Sequence, residues 1–151
     1  MHQAKRVQEL LDAGYNCAEA MAGAFAATIG VTEEACTQAM TGFGGGIGRT
    51  GNTCGLVSGA VFALGRGLDR TDLDHAAIKE RVYAAVVELV ERVEASHGSV
   101  LCPGILGVDL RIPEEQKRVA EERLFAVNCR AAADEIAAIV AELLAGPTST
   151  S

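Results

Sequence analysis

Tryptophan is absent from this 151-residue chain, and two tyrosines and four phenylalanines supply all of its aromatic content. With 49% hydrophobic residues, much of that alanine, the interior has to be built from small and aliphatic side chains, which lets helices approach one another closely. Basic residues are also in short supply: 13 Lys and Arg against 20 Asp and Glu leave a formal charge of -7 and a pI near 4.9. Nucleic acid and anionic membrane need clustered Lys and Arg, so neither is an expected partner. No run is long enough to span a membrane, and the N-terminal MHQAKRVQELLDAG has neither an apolar signal core nor a cleavage site, so a cytoplasmic protein is expected.

Strand-length alternation of β-branched residues is lacking as well, as are internal repeats, low-complexity tracts and interdomain linkers. Apolar residues recur instead at helical spacing. The expected fold is an all-α, single-domain helical bundle over residues 1–146, followed by a disordered Thr/Ser tail at 147–151. A first helix over 2–13 carries Val7, Leu10 and Leu11 and stops at Gly14. Asn16 caps a second that runs to Ile29 and Gly30, and Thr32 with Glu33 and Glu34 opens a third that ends near Phe43. After a glycine-rich loop, a small-surfaced helix covers 54–64 and ends at Gly65 and Gly67. Asp72 or Asp74 opens the longest helix, with Ile78, Val82, Val86, Leu89, Val90 and Val93 as its apolar stripe and His97 and Gly98 as its close; it is expected to be the spine of the scaffold. One helical turn at 102–107 and a region opened by Pro113, interrupted near Asn128 and ending at Gly146, complete the chain.

The loop FGGGIGRTGNTCG, residues 43–55, contains a G-x-G-x-x-G from Gly46 to Gly51. A dinucleotide fingerprint needs a strand before its first glycine and a βαβ unit around it, and the preceding residues read as helix. The cysteines are the better guide. Five of them in a reducing compartment are not expected to be standing disulfides. Cys17 follows Asn16, Cys54 follows Thr53, Cys129 follows Asn128 and Cys102 precedes Pro103, contexts that place all four at or beside helix N-termini. The helix dipole and free N–H groups there stabilise an anion, so lowered thiol pKa values are expected. Arg49 would add a positive charge or a hydrogen bond to sulfur, and Gly45, Gly46, Gly48 and Gly55 would let backbone N–H groups reach a sulfur or a cluster face. Cys36, inside the third helix, reads as a small buried hydrophobe.

GYNCAEAM at 14–21, FGGGIGRTGNTCGLVSGAVFALG at 43–65, HGSVLCPGILG at 97–107 and the isolated Cys129 together resemble the redox-active proteins named for their cysteine pattern, C_GCAxxG_C_C. The resemblance implies a helical, redox-active domain, mostly from anaerobes, whose four recurring cysteines match Cys17, Cys54, Cys102 and Cys129. A similar domain occurs in split-Soret cytochromes, for which an iron-sulfur centre has been considered beside the haems. This chain has no C-x-x-C-H, so haem is not implied. It departs from the pattern at Leu56, where alanine is usual, at His97 in place of a phenylalanine, and at Pro103 in place of an arginine.

Three readings follow. The four cysteines form a metal or iron-sulfur site for electron transfer, with an iron-sulfur cluster as the expected cofactor and zinc as the alternative. Or two of them cycle as a metal-free thiol-disulfide oxidoreductase, in which the cysteines and Arg49 are catalytic. Or the protein is a non-catalytic helical interaction module. Glu19 reads as first-turn stabilisation of a capped helix; His97 and His2 could substitute as metal ligands but read more simply as a helix C-terminal cation and a mobile terminal residue, and His75 reads as solvent-facing. The expected partners are a redox protein and, through the small residues of 55–63, a second copy of the chain, although a helix of the same chain would use that surface equally well.

Overall fold

A computed structural model describes residues 2–146, and the regular elements among them are all helical: α1 (His2–Asp12), α2 (Cys17–Ala24), α3 (Ala26–Ile29), α4 (Glu33–Met40), α5 (Gly44–Ile47), α6 (Gly55–Gly67), α7 (His75–His97), α8 (Cys102–Leu106), α9 (Pro113–Glu121) and α10 (Arg130–Ala145). The all-α expectation holds. The tail expected at 147–151 lies outside the described residues.

At the centre, α2 packs on α6 through the smallest side chains of the sequence. A Cβ on Gly59 would stand 2.7 Å from the Ala18 carbonyl oxygen and 2.8 Å from Met21 Cβ, so the two backbones touch where only glycine fits. Gly55 makes the same approach to Ala18 N and Cys17 Cβ. The small-residue surface of α6 is therefore used within the chain. Around this pair α1, α4 and α10 bury Leu10, Met21, Phe25, Leu56, Leu64 and Ile136 with under 2% of each exposed, apart from Leu10 at 2%. Each such side chain contributes about 1.5–3 kcal/mol of transfer free energy.

Several boundaries follow the capping chemistry. The Asn16 side chain accepts from the Glu19 N–H while the Glu19 carboxylate accepts from the Asn16 N–H, both at 2.9 Å, a closed capping box. Glu19 also accepts from the Thr41 hydroxyl at 2.9 Å, which fixes it as a structural carboxylate. Thr32 and Asp74 cap α4 and α7 through the N–H groups of Ala35 and Ala77.

Three expectations are corrected. The second expected helix breaks at Phe25 (φ -97°, ψ 1°), because that ring is wholly buried and the chain turns around it before α3. The small-surfaced helix runs through Gly65 to Gly67, its α6 carbonyls still paired, and a Cβ at Gly67 would collide with Ile29 and Leu144. The long helix α7 is not the spine: only Leu89 and Val93 of its 23 residues are buried. Its apolar stripe continues beyond the end of the core, so Ile78, Val82 and Val86 stay partly exposed.

Candidate functional site

The glycine loop is a left-handed turn. Gly45, Gly46, Ile47, Gly48 and Arg49 have φ of 68°, 71°, 65°, 61° and 65° in succession, and Gly51 follows at 76°. An L-residue in this region costs about 1–2 kcal/mol and glycine almost nothing, which explains the glycines without a phosphate ligand. Ile47 and Arg49 bear the strain. The turn closes on itself: the Gly48 and Arg49 N–H groups donate to the Gly44 oxygen, and the Asn52 N–H to the Gly46 oxygen at 2.9 Å.

From there the chain enters its one isolated β-bridge among the described residues, between Thr53 and Leu101. The Cys54 N–H donates to the Val100 oxygen at 2.7 Å and the Cys102 N–H to the Asn52 oxygen at 2.8 Å. Two cysteines 48 positions apart are thus held side by side, one at the N-cap of α6 and the other opening α8. Gly46 sits directly behind: a Cβ there would lie 2.6 Å from the Asn52 oxygen and 2.7 Å from Cys102 Cβ.

Cys17 opens α2 behind its capping box. Cys129 ends a π-helical turn (Phe125–Cys129) that runs straight into α10. Its expected place at a helix N-terminus is corrected, because Asn128 does not cap a helix: its Nδ2 donates to the Leu106 oxygen at 2.7 Å and ties the π turn to the end of α8. A π turn widens the helix by one residue and re-aims the side chains that follow, and such turns recur at functional sites.

All four sulfurs come to one cavity of about 300 Å³, which Cys17, Cys54, Cys102 and Cys129 line together with Arg49. Its far wall is apolar, made by Leu106, Leu110, Val119 and Phe125. Arg49 is the one charged side chain of that lining; Gly45 and Gly55 also border the cavity, whereas Gly46 lies behind Cys102 and Gly48 faces open space. Cys36 is elsewhere, fully buried in the main core, as its helical context implies. His97 is outside the cavity too, its Nε2 2.8 Å from a Glu135 carboxylate oxygen.

Cys17, Cys54 and Cys102 are the reverse of acidic. A hydrogen bond with Cys129, then burial, hold the Cys17 thiol well above the ordinary value. Burial and then the neighbouring Cys17 push Cys54 up to about 12, although the amides of Leu56 and Val57 pull the other way. Burial, Cys17 and Asp109 raise Cys102 to about 11. The expected lowering by helix N-termini is therefore overturned. Desolvation and mutual repulsion outweigh the helix amides, and the Cys102 N–H is already engaged by Asn52. Cys17 is the hub, since it is electrostatically coupled to each of the other three.

Cys17, Cys54 and Cys102 thus stand as neutral thiols that need positive charge before they ionise. Among the described residues no three His, Cys, Asp or Glu side chains stand close enough together to hold one metal ion. The apolar wall was not singled out in the sequence, nor were the bonds by which the Asn52 oxygen holds Cys102 and Asn128 holds the end of α8. Of the wall residues only Leu106 lies in a recognisable motif, and the Asn52 carbonyl and the Asn128 side chain act on partners that only the fold supplies.

A family model described as "Putative redox-active protein (C_GCAxxG_C_C)" matches residues 15–143. No curated protein and no solved structure matches the chain. With the match extending over most of its length, the chain belongs to the C_GCAxxG_C_C redox-active family.

Proposed function

We propose that Cys17, Cys54, Cys102 and Cys129 hold an iron-sulfur cluster and that the protein is an electron carrier. The observation that carries this reading is the cavity itself: four thiols from four separate segments, with no competing carboxylate or imidazole in its lining. Four cysteine thiolates are the complete ligand set of a 2Fe-2S or 4Fe-4S cluster. A single tetrahedral zinc would draw its sulfurs to about 3.8 Å from one another, given Zn–S bonds of about 2.3 Å. A multinuclear cluster spaces its ligands more widely, in keeping with a cavity of about 300 Å³. When bound, such a cluster supplies a one-electron couple whose potential depends on burial and on hydrogen bonds to sulfur.

The chain's own residues do the rest. Burial, and for Cys17 first its hydrogen bond with Cys129, keep Cys17, Cys54 and Cys102 protonated until a metal replaces their protons, so loading releases protons and is favoured as pH rises. Leu106, Leu110, Val119 and Phe125 exclude water from one side of the cavity. The left-handed turn holds Arg49 at the cavity, where its guanidinium offsets the negative charge of four thiolates.

A second reading has its own observation. The Cys17 thiol is hydrogen-bonded to Cys129, which makes these two the pair expected to form a disulfide in metal-free protein. The raised Cys17 thiol works against attack by that sulfur, because the attacking species is the thiolate.

The test is iron and acid-labile sulfide analysis, with a visible spectrum, on protein purified without oxygen, beside Cys54→Ser. Iron and sulfide in the wild type, lost in the variant, support the cluster. Zinc alone indicates a metal site without electron transfer. If neither metal is retained after anaerobic reconstitution, and Cys17 and Cys129 instead form a reversible disulfide, the thiol-disulfide reading replaces it.

A further inference from the structure

We infer that the groove between α6 and the first half of α7 is a second binding site, and that its ligand is an amphiphilic anion: an alkyl chain bearing a carboxylate or phosphate head. Pattern and packing disagree along α7. Its apolar stripe runs past the end of the core, and Ile78 and Val82 stay partly exposed. Together with Phe62 of α6 they floor a cavity of about 420 Å³. A volume of this order, with an apolar floor and a few polar groups around it, suits a small organic molecule.

Gly65 keeps that floor clear. The other glycines of α6 are required by close contacts: a Cβ would stand 3.0 Å from Ala18 N at Gly55, 2.7 Å from the Ala18 oxygen at Gly59 and 2.7 Å from Ile29 Cγ2 at Gly67. At Gly65 it would meet only Val82 Cγ1, at 4.0 Å, and Gly65 has no positive φ. Neither packing nor backbone conformation calls for glycine there, and glycine inside a helix is destabilising relative to alanine. What the missing side chain leaves is open space in the groove.

Charge selects an anion. The chain has 20 acidic residues against 13 basic ones, yet the groove is lined by Arg66, Arg70 and Lys79 and by no carboxylate. The three cations come from α6, from the segment after it and from α7. Among the described residues none of them has a carboxylate partner within the chain. Asp69 and Asp74, close by in sequence, accept instead from the Thr71 and Ala77 N–H groups, both at 2.9 Å. Arg70 donates to the Gly65 oxygen, which holds its guanidinium at the groove. Guanidinium groups match a carboxylate or phosphate in geometry as well as in charge. An inorganic anion would leave the floor in water, and an uncharged alkyl compound would leave the cations without a partner. The cysteine cavity shares no lining residue with this groove, so binding here does not depend on the proposed cluster.

Isothermal titration calorimetry of the full chain with sodium dodecanoate, below its micelle concentration, tests the site, with dodecyl phosphate beside it to show which head the cations prefer. One-to-one binding of either is expected. Each buried methylene is worth up to about fourfold, so octanoate should bind at least about tenfold more weakly than dodecanoate. Decanol should bind about tenfold more weakly than decanoate, because it lacks the charged head. Gly65→Leu, which fills the floor, and Lys79→Gln, which removes a cation, should each raise the dissociation constant about tenfold. Circular dichroism and melting show whether each variant is folded; if Gly65→Leu is not, Lys79→Gln and Arg66→Gln decide. A chain that binds neither dodecanoate nor dodecyl phosphate overturns the assignment, even if it sediments with phosphatidylglycerol vesicles, since it then meets a membrane surface and not a single amphiphile. So does equal affinity for decanol and decanoate, or binding that survives both the floor and the cation substitutions.

Discussion

A methyl group placed at Gly46 and another at Gly48 separate two effects that the left-handed turn combines. Both residues have positive φ, 71° and 61°, so alanine costs about 1–2 kcal/mol of backbone strain at either. At Gly48 the new Cβ meets nothing within 4 Å, and that strain is the whole cost. At Gly46 it would lie 2.6 Å from the Asn52 oxygen, 2.8 Å from the Asn52 nitrogen and 2.7 Å from Cys102 Cβ. Two of these are backbone atoms that cannot rotate aside, so overpacking adds about 1–3 kcal/mol. Gly46→Ala should thus cost about 2–5 kcal/mol, against a total stability of about 5–15 kcal/mol. At about 2–4 °C per kcal/mol for a chain of this size, Gly48→Ala lowers the melting temperature by roughly 2–8 °C and Gly46→Ala by clearly more. The displaced segment carries the Asn52 carbonyl that anchors Cys102, so Gly46→Ala should also speed reaction of Cys102 with an aromatic disulfide reagent while Gly48→Ala does not. Thermal melts and thiol-modification rates on metal-free protein measure both. Equal destabilisation by the two substitutions, with unchanged Cys102 reactivity, would refute the reasoning.

Other outcomes follow from the same geometry. Cys54 and Cys102 are raised to about 12 and about 11, so the stability they give metal-free protein is full below the ordinary thiol value of about 8.5 and is lost as pH rises through their folded values. Urea midpoints measured from pH 7 upward should fall more steeply for the wild type than for Cys54→Ala, and parallel curves would contradict this. Asn16→Ala removes the side-chain half of the capping box and the Nδ2 bond to the Thr41 oxygen, and is expected to cost about 0.5–2 kcal/mol in urea unfolding, and to loosen Cys17 at the start of α2. Gly59→Ala drives a Cβ to 2.7 Å from the Ala18 carbonyl oxygen without the positive-φ strain of Gly46, so it should cost the overpacking alone, about 1–3 kcal/mol, and melt above Gly46→Ala. Cys36→Ala leaves only a small void in the main core, so about 1 kcal/mol of stability is lost and iron content is unchanged; loss of iron would put Cys36 in the site.

Much of the fold was legible because its signals are local. Asn16, Thr32 and Asp74 were readable as caps, since a short polar side chain satisfies N–H groups three residues away whatever the rest of the chain does. Gly30 and Gly98 were readable as stops, and both are left-handed C-caps. The four cysteines stood out by their contexts, but contexts say nothing of desolvation. The ionisation of Cys17, Cys54 and Cys102 was therefore expected in the wrong direction.

What the sequence by itself determined is the helical class, the element order and the residues able to bear sulfur chemistry, all properties of neighbours within a few positions. Tertiary structure alone decided that the Thr53–Leu101 bridge sets Cys54 beside Cys102, that a π turn rather than a capped N-terminus presents Cys129, and that α2 rather than α7 is central. The physical reason is that helix propensity and capping act over one turn, whereas burial and the repulsion between thiolates depend on which distant segments share a cavity.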